Sequence, residues 1–341
     1  MQAPLSAAAR LRDMAAGYRA SQLVLLAVRL HVADHLANGP RSVDDLAALT
    51  GTLRDPLHRV LRGMAGLGLL EEPVAGYFQL TDLAQPLRRD HPESVASSVL
   101  FTASIENTRA WAELEHTLRT GVSGFEHAFG MPRFPYLQAH PEWATIFQLQ
   151  MTLQMQQVAR AVVAAYDFGG ADTVADIGGG YGHLLATILH AHPNLRGVLF
   201  DVPEVVAAAE EPLRRAGVLE RCRLEGGDFF QAVPGDADLY LLSWILHDWP
   251  DDHALRVLRT CSTCIPPGAR VLLIERVLPE RAESAAVVRE ALLGDVHMLA
   301  VLSGRERTQS ELEGLLNESG FSLERVLPTD SPRTILEAVR W

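Results

Sequence analysis

The chain contains no lysine, so its 30 basic residues are all arginine, and 42 acidic residues outnumber them to give a formal charge of −12. That balance opposes non-specific attachment to nucleic acid or to an anionic membrane surface. The missing lysine reflects a GC-rich coding sequence rather than chemistry. Cysteine is also scarce: Cys222, Cys261 and Cys264 cannot build a disulfide framework, so a reducing cytoplasm is the expected compartment. Cys261-x-x-Cys264 has zinc-like spacing, but no second Cys pair or His pair completes it. The pair falls where a helix should end, and a structural role is expected. Long apolar runs are absent; the best candidates, such as 23–30, are too short or are broken by Arg29. Arg10 and Arg12 precede no signal-type apolar core, so no targeting segment is expected. There are no internal repeats and no low-complexity tracts.

What remains is a globular composition. The 341 residues suffice for two domains, and 48% hydrophobic against 21% charged residues supplies a large core in a soluble protein. The first hundred residues read as helical. Leu23, Leu26, Ala27, Leu30 and His31 follow helical spacing, and Asn38-Gly39-Pro40 should stop that helix. Ser42 caps a second helix with Asp44 and Asp45 in its first turn, Thr50-Gly51 ends it, and Asp55-Pro56 opens a third. A hairpin follows over Leu69–Glu71 and Tyr77–Leu80 around Gly76. Helix, turn, helix and wing describe a winged-helix module. Arg54, His58, Arg59 and Arg62 on its third helix are compatible with DNA binding, whereas the acidic chain favours reuse of the module for dimerisation or for walling a pocket.

Residues 101–165 form a helical, aromatic- and Met-rich middle in which Phe147 and Met151 lie one turn apart and can share a pocket wall. From Thr173 onward strands alternate with helices: Thr173–Ile177, Gly197–Asp201, Cys222–Glu225, Leu239–Ser243, Ala269–Glu275, and a final pair near Ser322–Pro328 and Arg333–Ala338. That alternation predicts an α/β, doubly wound, mostly parallel sheet covered on both faces. The expected division is a winged-helix-like domain over 1–100 and, over 101–341, the helical middle with a Rossmann-like domain.

The stretch from Val174 to Gly182 reads Val-Ala-Asp-Ile-Gly-Gly-Gly-Tyr-Gly: a short strand, an acidic residue, a glycine-rich turn, then a helix from about His183. This opens a nucleotide-type site at the carboxyl end of the first strand of such a sheet. A dinucleotide fits poorly. Gly178-x-Gly180 is followed by His183 where the third glycine of GxGxxG would stand, and Asp176 would set like charge against a pyrophosphate. S-adenosylmethionine, with an ammonium, a sulfonium and no phosphate, fits better.

Ligands in open α/β sheets bind beyond the carboxyl ends of the strands. There Asp201, with Val202 beside it, can accept hydrogen bonds from ribose hydroxyls. Asp228, Phe229 and Phe230 offer a carboxylate and aromatic faces suited to adenine, and Ser243 ends the fourth strand. His247 follows in Leu-His-Asp-Trp-Pro. Glu275, at the end of the fifth strand, and Glu306, in Gly-Arg-Glu-Arg-Thr, can converge on it. A His held by carboxylates has a fixed tautomer and raised basicity, which suits a general base. No metal-ligand set is evident in the sequence.

These blocks, in this order, resemble the plant-type small-molecule O-methyltransferases, specifically their bacterial natural-product branch. The matching segments are 174–182, 199–203, 227–230, 246–252 and 304–308, and the resemblance spans essentially the whole chain. It implies a winged-helix dimerisation domain, a homodimer, and a Rossmann-like domain binding S-adenosylmethionine and releasing S-adenosylhomocysteine. It assigns Asp176, Gly178, Gly180, Asp201 and Val202 to the methionine and ribose. Asp228 and Phe229, with Phe230 beside them, fall to the adenine, and Trp249 stands at a position near substrate and cofactor. Ser243 stands where plant members often carry Lys, which weakens its assignment to the cofactor. His247 matches the catalytic base, and Glu275 and Glu306 the carboxylates that orient it. Phe147, Met151, Asp248 and Met298 resemble positions that face a small hydroxylated aromatic substrate. The expected reaction is in-line methyl transfer to a phenol of a polyketide, phenazine or similar polycycle, with no metal, nucleic acid or membrane partner. Two alternatives stay open: a cofactor-binding relative diverted to hydroxylation, decarboxylation or pericyclic chemistry, and a winged-helix ligand sensor.

Overall fold

The computed structural model describes residues 6–283 and 285–341. They fall into two units, Met1–Thr108 with Pro141–Gln150, and Arg109–His140 with Met151–Trp341.

In the first unit, α1 (Ala7–Ala15), α2 (Gly17–Arg29) and α3 (Val32–His35) lead to β1 (Arg41–Ser42) and α4 (Val43–Thr50). The Ser42 hydroxyl accepts from the Asp45 N–H, Asp44 and Asp45 add charge to the first turn, and Gly51 closes α4 in the left-handed region. Next come α5 (Arg54–Gly66) and the hairpin of β2 (Leu70–Val74) and β3 (Tyr77–Leu80), with β1 added to β3. Leu46, Leu61, Met64 and Phe78 are fully buried beneath this helix–turn–helix and wing. One boundary departs from expectation. The first long helix ends at Arg29 rather than near Asn38, because His31 adopts φ 52 and restarts the chain as α3. The turn lets Val32, Ala33 and Leu36 enter the same core. On α5, Arg54 pairs with Asp44 at 2.9 Å and His58 with Glu72 at 3.6 Å.

The middle is helical as read: α6 (Ala96–Thr102), α7 (Ile105–Ala112), α8 (Leu114–Thr120), α9 (Gly124–Phe129), α10 (Arg133–Ala139) and α11 (Pro141–Ala165). Then β4 (Thr173–Ile177), α12 (His183–Ala191), β5 (Arg196–Asp201), α13 (Pro203–Arg215), β6 (Cys222–Gly226), β7 (Leu239–Ser243), α14 (Asp251–Cys264) and β8 (Arg270–Glu275) alternate. The chain finishes with β9 (Val277–Leu278), α15 (Ala286–Leu302), β10 (Arg307–Thr308), α16 (Gln309–Glu318), β11 (Phe321–Pro328) and β12 (Thr334–Arg340).

The seven-stranded sheet has the order β11-β12-β8-β7-β4-β5-β6. Strands β8, β7, β4, β5 and β6 are parallel, and β12 is antiparallel to both its neighbours. Ala175 and Ile177 enter one apolar cluster and Val174 the other, so both faces of β4 are covered and the strand reads as a continuous apolar run. The sheet is thus the doubly wound, Rossmann-like one that the alternation predicts. Because β5 lies on one side of β4 and β7 on the other, the topology reverses at β4, which opens a crevice beyond its carboxyl end. Cys261 is buried in the core at the end of α14, where burial pushes its thiol up to about 12. Among the described residues no helix is long and apolar enough to cross a membrane.

Candidate active site

Two constructions meet the carboxyl ends of β4 and β7. After β4, the turn depends on backbone that only glycine adopts cheaply. Gly178 has φ 69, and a Cβ there would lie 2.4 Å from Ile245 Cδ1; Gly180 has φ 58. The Gly180 N–H donates to Asp201 Oδ2 at 2.8 Å and the Val202 N–H to Oδ1 at 2.7 Å, which ties this turn to the end of β5. Asp176 beneath it is 1% exposed, and its Oδ2 has no hydrogen-bond partner. Burial, then the Asp201 charge, pushes its carboxyl up to about 7. A buried acid left half satisfied is costly and is best compensated by a cation or donor arriving from the crevice.

Farther along, Asp228 accepts from the Phe230 N–H and the Gln231 amide, both at 2.9 Å. Phe229 and Phe230 meet edge-on with centroids 4.9 Å apart, and Trp249 stands edge-on to Phe230 at the same distance. Phe229 also closes on the glycine turn, 3.6 Å from where a Cβ on Gly178 would be. The predicted cofactor residues Asp176, Gly178, Gly180, Asp201, Val202, Asp228, Phe229, Phe230 and Trp249 therefore lie along one continuous run of contacts. Ser243, 7% exposed and with its hydroxyl unpartnered, ends the strand next to β4. A glycine cradle, an unsatisfied buried carboxylate and an aromatic ledge suit an adenosyl cation and offer no basic cradle for phosphate.

The second construction uses side chains from distant segments. After β7 the chain enters a tight turn at Leu246–Asp248, and the N–H groups of Ile245 and Leu246 both donate to Glu275 Oε1, at 3.0 and 2.9 Å. Glu275, 2% exposed, thus bolts the His247 turn to β8. Arg307, equally buried, donates to the carbonyls of Leu246 and Trp249 at 2.8 Å each and to Asp251 at 2.9 Å. At Gly304 a Cβ would stand 2.2 Å from the His247 carbonyl, so this crossing admits only glycine. The Glu306 N–H is held by Asp295 at 2.9 Å.

Within that frame His247 Nδ1 lies 3.3 Å from Glu306 Oε1 and 3.9 Å from Glu275 Oε2, while Nε2 lies 3.4 Å from Asp248 Oδ1. Burial alone would lower the His247 pKa, but the charges of Glu275, Asp248 and Glu306 overcome it and push it up to about 9. Burial also works against the Glu306 charge; His247, Arg333 and Arg276 outweigh it and hold that carboxyl below its ordinary value. An ionised carboxylate only accepts, so Nδ1 carries a proton toward Glu306.

The fold brings side-chain N and O atoms of His247, Glu275 and Glu306 within 4.8 Å of one another. Arg333, 3.4 Å from Glu306 Oε1, already supplies positive charge there. Of the predicted substrate residues, Asp248 lies against His247 and Met298 follows His297 on α15. Phe147 packs with Phe101 and Trp143 in the first unit, whereas Met151 belongs to the second. Sequence reasoning missed Arg333 and His297. The latter accepts from the Trp111 indole N–H at 3.0 Å, and burial followed by the Arg133 charge pushes its pKa down to about 3.

Comparison with known proteins agrees with this architecture. Residues 111–322 match the model of the O-methyltransferase domain and residues 13–90 that of the O-methyltransferase dimerisation domain. The chain is 43% identical over 331 residues to a phenazine O-methyltransferase, PhzM, of Lysobacter antibioticus, covering 96% of this chain and 95% of that protein. The structure of the mitomycin 7-O-methyltransferase MmcR superposes with TM-score 0.92 at 36% identity, covering 98% of each chain. An O-methyltransferase from neocarzinostatin biosynthesis, solved with S-adenosylmethionine and 2-hydroxy-5-methyl naphthoic acid, gives TM-score 0.85 at 30% identity, covering 94% of this chain and 96% of that one. Some relatives methylate nitrogen, as the name of 8-amino-8-demethylriboflavin N,N-dimethyltransferase states. The chain belongs to the O-methyltransferase family of bacterial natural-product biosynthesis and is an S-adenosylmethionine-dependent methyltransferase.

Proposed function

We propose that this enzyme methylates a phenolic hydroxyl of an aromatic secondary metabolite, with His247 as general base. The carrying observation is the carboxylate-held imidazole: Glu306 and Glu275 on the Nδ1 side fix the tautomer that leaves Nε2 to take a proton. A phenol has a pKa of about 10, so at neutral pH its oxygen is a weak nucleophile until that proton moves. The cofactor supplies an electrophilic methyl on a sulfonium. Asp176, the turn at Gly178 and Gly180, Asp201 with Val202, and Asp228 with Phe229, Phe230 and Trp249 would hold it, with Ser243 at the neighbouring strand end. His247 Nε2 takes the hydroxyl proton, and Glu306 and Glu275 stabilise the imidazolium that forms. General-base help of this kind contributes roughly 10²–10⁴-fold, and alignment of the reacting atoms supplies much of the rest.

Asp248, Met151 and Met298 are assigned to the acceptor side. The acceptor class is a hydroxylated polycycle of polyketide, phenazine or similar type, in keeping with the relatives named above. The dimerisation module supports a homodimer, and the scarcity of cysteine supports a reducing cytoplasm. Pairing of Arg54 with Asp44 and of His58 with Glu72 leaves the would-be DNA-reading helix with less free charge and supports the absence of a nucleic-acid role. The test is incubation with methyl-labelled cofactor and a panel of phenolic and amino-substituted polycycles, read by mass spectrometry. Label on oxygen of a phenol is expected; label only on nitrogen, or an oxygenated or decarboxylated product, would overturn the reading.

A further inference from the structure

The turn between β11 and β12 is remote in sequence from the His247 loop, yet its last residue reaches the site. Arg333 is 9% exposed, and its Nη1 stands 3.4 Å from Glu306 Oε1, the oxygen that faces His247 Nδ1 at 3.3 Å. One carboxylate oxygen is therefore shared between a guanidinium and the imidazole. The guanidinium carbon also lies 4.7 Å from the centre of the Trp244 ring. Trp244, immediately after Ser243, adopts φ 61, a conformation that a bulky residue keeps only when its surroundings enforce it. Its N–H donates to the Ile274 carbonyl at 3.2 Å, and Arg333 covers the ring from the other strand pair. The arginine is itself pinned: its carbonyl accepts from the Thr329 hydroxyl at 2.6 Å and its N–H donates to the Ser331 hydroxyl at 3.2 Å. A guanidinium stacked on an indole and aimed at a buried carboxylate is held in one place, which a flexible surface arginine is not.

The charges around His247 show what that placement does. Three carboxylates face it: Asp248 from its own turn, Glu275 from β8 and Glu306 from the segment before β10. On the cationic side are Arg333, Arg276 beside Glu306, and Arg133 of α10 acting on Asp248, while Asp295 of α15 adds a further negative charge near Glu306. The carboxylates strengthen the hold of the imidazole on its proton. A cation drawing on the same Glu306 oxygen offsets that pull.

We propose that Arg333 is a positioning residue of the methyl-transfer site: stacked on Trp244, it shares the Glu306 carboxylate with His247 and sets how readily the imidazole releases its proton. The proposal rests on His247 as the base. The test uses the full-length protein. The His247 Cε1–H resonance, identified by its loss in His247→Gln, is titrated by NMR, and the pH dependence of kcat is measured in parallel. Arg333→Met raises the His247 pKa by on the order of one unit and moves the acid limb of kcat upward by the same amount. Arg333→Lys, which keeps the charge, restores most of both. Trp244→Leu, which removes the stacking face and no charge, gives a smaller upward shift. An unchanged His247 titration in Arg333→Met overturns the proposal, and should that variant not fold, an unchanged titration in Trp244→Leu does so. Retained turnover in His247→Gln would remove the base while the titration still reported the Arg333 coupling, so the two failures are distinct.

Discussion

The glycine turn after β4 and the His247 centre after β7 stand at the ends of neighbouring strands and are built in opposite ways. The turn is made of consecutive residues, and its geometry comes from backbone conformations at Gly178 and Gly180. The His247 centre is made of side chains from β8, from the segment before β10 and from the β11–β12 turn, brought together only by the completed sheet. One needs close approach of the chain to a ligand; the other needs charges set against one another in a dry interior. Damage to the first should therefore appear as lost cofactor affinity, and damage to the second as lost turnover.

A large expected effect that sharpens this contrast is that of Gly304→Ala. A Cβ 2.2 Å from the His247 carbonyl must displace the His247 turn, and a shift of about 1 Å costs roughly 100-fold in turnover. Calorimetry with S-adenosylhomocysteine should show affinity almost unchanged; a parallel loss of affinity would break the distinction. Next is Asp201→Ala, which removes the acceptor that ties Gly180 and Val202 and faces the crevice. Affinity for S-adenosylhomocysteine should fall roughly 10–100-fold, while kcat at saturating cofactor is largely kept. Equal affinity would mean that the ribose is held elsewhere.

Smaller effects come from pH. Because the His247 pKa is raised to about 9, the neutral base is the minor form at pH 7, and kcat should climb as pH rises before levelling near 9. A flat profile from pH 6 to pH 9 would contradict a titrating base of this kind. On the cofactor side, Asp176 is raised to about 7, so its charged form is favoured by a cationic ligand and binding releases a proton. Affinity for S-adenosylmethionine should thus rise with pH up to about 7 and flatten above it. Asp176→Asn should remove that slope, as calorimetry in buffers of different ionisation enthalpy would show.

The same contrast separates what is legible in the sequence from what only the fold assembles. The 174–182 block was legible because strand, acid and glycine turn are contiguous, and the winged-helix module was legible from caps at Ser42 and Gly51. Glu275 and Glu306 were legible as carboxylates at a strand end and in a loop that could converge on His247, and the resemblance added their orienting role. Arg333 was not, because nothing near Thr329–Arg333 in sequence betrays that the antiparallel β12 carries it beside β8 and the site. The left-handed Trp244 and the buried Arg307 staple were hidden for the same reason: each depends on partners from other segments. His31 shows the local limit. Its helical spacing continued on paper, while the core needed a turn there.

The most direct measurement is turnover of His247→Ala at saturating labelled cofactor, with S-adenosylhomocysteine affinity measured on the same preparation. Affinity within a few-fold of the parent and a rate lower by roughly 10²–10⁴-fold are expected. Parent-like turnover on an unactivated phenol would contradict His247 as the base.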